Sequence, residues 1–388
     1  MIATGNSEPQ SKRLLWVVCF VGFLLGMDNG GLQFALLKIA NEFSMNEAAM
    51  GSLMTFQFGG LTLAALAAGF ISGRIGKKRI AVISAALFTV STFICYLGIS
   101  RMAVSIGVMG CGCAFGALEV AVCSALSDAY GHKAGRYLLI MQGLLGIGSV
   151  ACPLMADFMM RKLGTDWNEL FLVCAVLFAT AFLLIVRTPF NRNFVEASEG
   201  EAGGRKLNIR DVVLIGMLGS ALIYGCLEAG IGSFIDTFFA TIVCDASRSA
   251  LTLSLFWAAI GVSRLIAGML YQLRKVIIVL AFVCGGALYF LLSTLHLAMP
   301  SMIVTISIGM LIGPVLPALV SLANERFPQQ TGLMTSFVNA ASGVGSSVGP
   351  LAVGIIAEMS GLSFSFVMLG GLSLLAATIF VTTMIKRI

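Results

Sequence analysis

Long apolar stretches alternate with short polar ones along the whole chain. Twelve stretches are each close to the roughly 20 residues that an α-helix needs to cross a bilayer. They lie at residues 14–38, 48–72, 80–99, 102–127, 138–159, 169–187, 211–238, 249–271, 276–296, 300–323, 332–357 and 362–385. One long polar segment, 188–210, separates the sixth from the seventh and contains three glutamates and a Gly–Gly pair. The pattern predicts an all-α integral membrane protein with six spans on each side of a flexible loop.

Composition and charge agree with a bilayer environment. Hydrophobic residues make up 58% of the 388 residues and charged residues only 11%, against about 25% charged residues in soluble domains. If the N-terminus is cytoplasmic, 18 of the 24 lysines and arginines fall on the cytoplasmic side. The positive-inside rule then predicts that both termini are cytoplasmic. Short loops and the absence of any Asn-x-Ser/Thr sequence favour a prokaryotic plasma membrane.

The residue types argue against several classes of function. His132 and His296 are the two histidines, too few to build a convincing metal site with the scattered cysteines. The sequence has no nucleophile motif and no phosphate-binding loop, so we expect neither an enzyme nor an ATP-driven pump. We also expect no cofactor, no metal and no nucleic-acid partner.

An internal repeat divides the chain into two halves. Three pairs of landmarks recur at nearly one offset: GIGSVACP at Gly146–Pro153 with GVGSSVGP at Gly343–Pro350, Gly69 with Gly268, and Asp28 with Glu228. The offsets are 197, 199 and 200 residues. The repeat predicts two pseudo-symmetric six-helix bundles, residues 1–187 and 211–388, joined by a cytoplasmic loop at 188–210.

The loop after the second span carries a recognisable sequence, GFISGRIGKKR at Gly69–Arg79. It resembles the inter-helix motif of the major facilitator superfamily: glycine, any residue, leucine, a small residue, aspartate, arginine, any residue, glycine and two basic residues. Gly73 stands where that family has its aspartate, so the charge relay attributed to the aspartate is not implied here. The chain resembles this superfamily over essentially its whole length. The resemblance implies gating roles for Gly69, Arg74, Gly76 and Lys77.

Within that superfamily, the chain is most similar to the fucose permease-like sugar:proton symporters. GALE at Gly116–Glu119 resembles the GCLE of the fourth helix in that branch, and DNGGLQF at Asp28–Phe34 resembles a segment of its first helix. YGCLEAGIGSF and FWAAIGVSRLIAG, at Tyr224–Phe234 and Phe256–Gly268, look like the seventh and eighth helices of sugar-type facilitators. The resemblance implies that Asp28 and Glu119 couple protons to sugar, and that Gln142 binds the sugar.

Three acidic residues lie well inside the apolar spans: Asp28, Glu119 and Glu228. A carboxylate at the bilayer centre costs about 2.5–3.5 kcal/mol on insertion scales, and such residues usually face a bundle interior or a water-filled path. Two carboxyl groups that border one cavity can share a proton near neutral pH. We therefore predict that Asp28 and Glu119 couple proton movement to transport. The structural alternative is a neutral acid that hydrogen-bonds to a neighbouring helix.

Other charged and polar residues complete the candidate site. Arg264, the one base inside a span, is predicted to gate or to cap a helix end, and Asp236 is expected to be solvated near the outer mouth. Amide, hydroxyl, carboxylate and indole groups on spans are candidate solute ligands, because hydroxyl-rich solutes need paired donors and acceptors beside flat apolar faces. They are Asn29, Gln33, Gln57, Gln142, Tyr224, Glu228, Trp257 and Asn339.

The sequence leads to a specific functional hypothesis. We expect a secondary carrier, active as a monomer, that imports a small neutral hydrophilic solute such as a sugar together with protons by alternating access. Coupling to sodium is left open. The alternative is a proton-driven exporter of drugs or metabolites. It is less favoured because the chain lacks two sequence features in which drug:proton antiporters of this superfamily resemble each other. The fourth span has no internal arginine, and Cys152–Asp157 in the fifth span lacks the glycines that flank the proline in the exporter motif.

Overall fold

A computed structural model describes residues 7–131, 134–190 and 211–385 of the chain. They form thirteen α-helices: α1 Ser7–Glu42, α2 Glu47–Ile75, α3 Lys77–Leu97, α4 Arg101–Tyr130, α5 Ala134–Phe158, α6 Trp167–Arg187, α7 Val212–Thr241, α8 Ser249–Met269, α9 Arg274–Thr294, α10 Ala298–Ile312, α11 Val315–Arg326, α12 Thr331–Ser360 and α13 Leu362–Phe380. Short π-helical turns extend α5 to Leu163 and α13 to Ile385. His132 and most of the predicted loop at 188–210 lie outside the described residues.

Twelve segments of the described chain are long and apolar enough to cross a bilayer. This confirms the predicted all-α class and the predicted number of spans. Most helices are longer than their apolar stretches, because local capping residues rather than the end of the apolar pattern decide where a helix stops. In α4, for example, the Ser100 side chain accepts a hydrogen bond from the Ala103 N–H at the start, and Gly131 ends the helix with φ of +49°.

The tenth span, predicted at 300–323, is present, but its helix is broken. The tenth span, Ala298–Arg326, consists of α10 and α11 with a break at Gly313 and Pro314. Proline lacks an N–H and its ring clashes with the preceding turn, so a helix cannot run through this point undisturbed. Gly313 also lies so close to α8 that a Cβ there would overlap the Ser263 hydroxyl. The Gly–Pro pair was visible in the sequence as a breaker signal.

Contacts divide the chain into two compact units. The first unit comprises Met1–Leu32 and Gly60–Ala202, and the second comprises Gln33–Gly59 and Gly203–Ile388. This division assigns the segment 33–59, from α1 and α2, to the second unit, whereas the sequence-based boundaries assign it to the first half. The boundaries at 187 and 211 remain a prediction.

Each unit contains the same close helix crossing, built from glycines of the repeat. In the first unit, Gly26 of α1 and Gly148 of α5 each lie against a backbone carbonyl of the other helix, and a Cβ at either would overlap that oxygen. In the second unit, Gly225 of α7 and Gly345 of α12 do the same. Small residues that let backbones approach are typical of helix contacts in membranes. The crossing supports the internal repeat predicted from the sequence.

We expect that replacing Gly148 by alanine destabilises the protein by about 1–3 kcal/mol, since overpacking forces backbone shifts of that cost. The matched control is Gly146→Ala, two residues away in the same helix, where a Cβ would meet no atom within 4 Å. Thermal unfolding in detergent should show a lower midpoint for Gly148→Ala and an unchanged or slightly higher one for Gly146→Ala. Equal midpoints for the two variants would contradict the close crossing.

Candidate functional site

Glu119 of α4 is half-buried in the first unit, where its partner is an amide. The Gln142 side chain on α5 donates a hydrogen bond from Nε2 to Glu119 Oε1 over 3.0 Å. The sequence predicted both residues as functional but not as a pair. Among the described residues Glu119 has no basic partner, since none of the ion pairs there includes it. It is a membrane-span acid held by a neutral group.

Asp28 of α1 lies in the first unit and is 3% exposed. Its carboxyl group interacts electrostatically with Cys111 of α4 and Cys152 of α5. Cys111 precedes Glu119 by two turns, about 12 Å along the helix axis. The predicted partnership of Asp28 and Glu119 remains a hypothesis.

A second polar cluster lies in the second unit, formed by Tyr224 and Glu228 of α7 and Arg264 of α8. The Tyr224 hydroxyl donates to Glu228 Oε1 over 2.6 Å, and Arg264 Nη2 contacts both the Tyr224 oxygen and Glu228 Oε1 over 3.0 Å. Arg264 Nε donates to the carbonyl of Gly313 over 3.1 Å. The guanidinium thus caps the helix break between α10 and α11, where a free carbonyl faces a cation. The sequence predicted these side chains separately, and the structure brings them together.

The repeat register corrects one sequence inference. The matching glycine contacts of α1 and α7, at Gly26 and Gly225, are 199 residues apart. At that offset the counterpart of Glu228 is Asn29, not Asp28. One residue on a helix is a rotation of about 100°, so the two acids occupy different faces of their helices.

A third contact in the second unit joins Gln33 to Trp257. The indole Nε1 donates to Gln33 Oε1 over 3.1 Å. Gln33 is 1% exposed, and its Nε2 has no hydrogen-bond partner among the described residues. An unpaired buried amide is costly, by about 1–3 kcal/mol, and such groups are commonly completed by water or a ligand.

The other predicted ligands are dispersed. Asn29 donates to the Ser149 hydroxyl over a long 3.5 Å. Gln57 is 2% exposed, and Asn339 is exposed on α12. Their roles as ligands stay predictions.

The loop motif after α2 contains an ion pair that the sequence did not reveal. Lys77 pairs with Asp128 at the end of α4 over 2.6 Å, and Gly76 adopts φ of +91°, which favours glycine. The second unit repeats the pair 197 residues later, between Arg274 and Glu325. Arg74 is exposed, and a Cβ at Gly69 would meet no atom within 4 Å. A gating role for these positions remains a prediction.

Asp236 is buried rather than solvated, which corrects the expectation from the sequence. It is 3% exposed and pairs with Lys38 over 2.5 Å. The ammonium group also donates to the Phe34 carbonyl over 3.0 Å and lies 3.5 Å from the centroid of the Phe34 ring. The sequence did not suggest Lys38 as a site residue, because a lysine near the end of a predicted span usually anchors that end at the membrane–water interface.

These features define a polytopic membrane protein with repeated halves and ionisable groups in its spans. The sequence model of the Major Facilitator Superfamily matches residues 18–331. The chain belongs to this superfamily.

Characterised relatives are distant. The niacin transporter NiaP of Acinetobacter baylyi is 23% identical over 183 residues, which cover 45% of this chain and 40% of that protein. The multidrug resistance protein MdtL of Klebsiella pneumoniae is 28% identical over 137 residues, which cover 35% of this chain and 34% of that protein. The chain thus spans less than half the length of these relatives.

Solved structures share the fold along nearly the whole chain. The nucleoside transporter NupG matches with a TM-score of 0.79 at 13% identity, covering 96% of this chain and 100% of that one. A D-xylose–proton symporter matches with a TM-score of 0.75 at 17% identity, covering 95% and 96%. The superfamily part of the predicted resemblance is confirmed, whereas no comparison singles out the fucose permease-like branch.

Proposed function

We propose that this protein is a secondary carrier that couples proton movement to the import of a small hydrophilic solute. The observation that carries the proposal is Glu119, a span carboxylate whose described partner is the neutral Gln142. Three other acids in or beside the spans, Asp128, Glu228 and Asp236, are each paired with a base. An acid without a basic partner can gain and lose a proton without breaking an ion pair, which suits it to proton coupling.

Alternating access requires part of the structure to open and close. The segment 33–59 contacts α7, α8 and α12 through the Gln33–Trp257 and Lys38–Asp236 pairs and through the Thr55 hydroxyl, which donates to the Ser347 carbonyl over 2.7 Å. With both termini in the cytoplasm, this segment lies on the outer side. We infer that these contacts break when the carrier opens outward, in the plasma membrane of a prokaryotic cell.

The class of solute has two candidates. A neutral sugar, as in the fucose permease-like branch, would use the buried Gln33 amide as a hydrogen-bond donor and the Trp257 ring as an apolar face. The second candidate is a solute with a carboxylate group, which would bind to Arg264. One relative is named a niacin transporter, and this name supports the second candidate. Export of drugs remains the alternative, supported by the multidrug resistance relative.

Counterflow in proteoliposomes tests the proposal. The purified protein would be screened with labelled monosaccharides, small organic acids and amphiphilic cations, with an imposed proton gradient and with the gradient collapsed by a protonophore. We expect accumulation of a hydrophilic solute only when the gradient is present. Accumulation driven by sodium alone, or movement of amphiphiles against the inward gradient, would contradict proton-coupled import.

A further inference from the structure

Arg264 has hydrogen-bond donors for which the described part of the chain offers no acceptor. A guanidinium carries five N–H groups, and Nε and Nη2 donate to Gly313, Tyr224 and Glu228. Nη1 donates to none of the described residues. The side chain is 40% exposed, compared with 15% for Glu228. One edge of the guanidinium is therefore free and accessible.

The position of this free edge fits a binding site rather than a structural pair alone. Gly313, which Arg264 contacts, is near the middle of the span Ala298–Arg326 and at its break. Broken helices at such depth mark solute sites in membrane carriers, because they present unpaired backbone groups to a cavity.

We propose that Arg264 binds the carboxylate of a small monocarboxylic acid, and that Glu228 accepts a proton as this acid anion binds. The inference rests on the proposed function, since it names the solute class of that carrier. Arginine suits the role because Nη1 still carries two N–H donors, and hydrogen bonds from a guanidinium to a carboxylate are strengthened by charge.

Charge balance explains why a proton accompanies the anion. In the empty site, Glu228 neutralises Arg264 one to one. An incoming carboxylate would leave two negative groups against one guanidinium, an arrangement disfavoured at low dielectric. One proton on Glu228 restores the balance, so the net charge of the site is the same with and without the bound anion.

The surroundings supply no competing charge. The titratable groups facing this pair in the described structure are Tyr224 on α7 and Tyr289 on α9, whose hydroxyl donates to the Leu227 carbonyl over 3.1 Å. The break between α10 and α11 contributes the Gly313 carbonyl. Phenols stay neutral through the physiological range, so these two side chains add no charge to the site.

The dimensions favour a compact, partly apolar acid. Trp257 precedes Arg264 by seven residues of α8, so both lie on one face about 10 Å apart. A carboxylate at Arg264 would direct the body of the solute toward the indole, which Gln33 orients. A small aromatic or branched monocarboxylate matches this spacing.

Matched acids and amides test the site. Benzoate, nicotinate and pyruvate would each be compared with benzamide, nicotinamide and pyruvamide, by calorimetry on the full-length protein in nanodiscs at pH 6 and pH 8. We expect at least one acid to bind more tightly than its amide, with affinity rising up to about tenfold per unit of pH lowered if one proton is taken up. If no acid binds better than its amide at pH 6, the proposal is overturned.

Two variants distinguish the role of Glu228 from that of Arg264. Glu228→Gln, which mimics the protonated acid, should bind the acid at least as tightly as the natural protein at pH 6 and lose the pH dependence. The double variant Arg264→Gln with Glu228→Gln leaves no unpaired charge, so it should fold, yet it should bind the acid about tenfold or more weakly than Glu228→Gln. Equal acid affinity in these two variants would refute the role of Arg264.

Transport assays keep the two proposals apart. Proton-driven uptake of a neutral sugar, with no acid binding, would overturn the carboxylate site and leave the carrier function standing. Acid binding that depends on Arg264, with no uptake of any solute, would support the site and refute the carrier function.

Discussion

Replacing Glu119 by glutamine is expected to abolish gradient-driven accumulation while solute exchange continues. Glutamine has nearly the same shape, and its carbonyl oxygen can still accept the hydrogen bond from Gln142 Nε2 that Glu119 Oε1 accepts over 3.0 Å. It cannot take up a proton at any working pH. The carrier should therefore equilibrate labelled solute across the membrane without concentrating it. Proteoliposomes loaded with solute measure exchange, and an inward proton gradient measures accumulation.

Gln142→Met is the matched control for this prediction. It removes the hydrogen bond between Gln142 and Glu119 but keeps the Glu119 carboxyl group, so the accumulation ratio should be preserved even where KM rises. Accumulation by Glu119→Gln at the level of the natural protein would show that coupling resides elsewhere, with Asp28 the next candidate. Loss of exchange together with accumulation would assign Glu119 to solute binding or folding instead.

Replacing Lys38 by methionine is expected to destabilise the second unit by about 3–5 kcal/mol, the cost of leaving one partner of a buried ion pair uncompensated. Asp236 is 3% exposed, so water cannot substitute for the ammonium group. Methionine is close to lysine in length and can pack against the Phe34 ring, although it lacks the cation that lies over this ring in the natural protein. Unfolding in detergent, followed by heat or by increasing denaturant, measures the loss.

Two controls make this prediction specific. The double variant Lys38→Met with Asp236→Asn removes both charges and should recover most of the lost stability. Arg248→Met breaks the exposed pair with Asp245, whose side chains are 41% and 33% exposed, and should have no measurable effect. If Lys38→Met were as harmless as Arg248→Met, the buried pair would contribute nothing to stability.

Much of the fold was accessible from the sequence, because span length and apolar runs are set by the bilayer itself. The twelve spans follow from that constraint, whereas the repeat was inferred from motifs that recur at nearly one offset. The break at Gly313 and Pro314 was missed because mean apolarity stays high across it, although the breaker signal was present. Helix ends were missed because caps such as Ser100 are local and lie outside the apolar pattern.

The candidate site was predicted as residue types rather than as contacts. Glu119, Glu228 and Arg264 stand out in sequence because charge in a span is costly. Their partners depend on which helix faces meet, and this information is tertiary. A shift of one residue in the repeat register was enough to match Glu228 with the wrong counterpart. The Tyr224–Glu228 contact could have been predicted from the sequence, because residues four apart lie next to each other on one face of a helix.

The glycine crossings also bear on how the two halves could diverge. Gly148 meets the carbonyl of Phe23, and its counterpart Gly345 meets the carbonyl of Leu222. Every residue type offers the same backbone oxygen, so selection at these crossings acts on the glycines and leaves the facing residue free to change. Substitutions at the facing positions can therefore accumulate without altering the helix arrangement. A fold shared at a TM-score of 0.79 with 13% of residues identical is compatible with such tolerance.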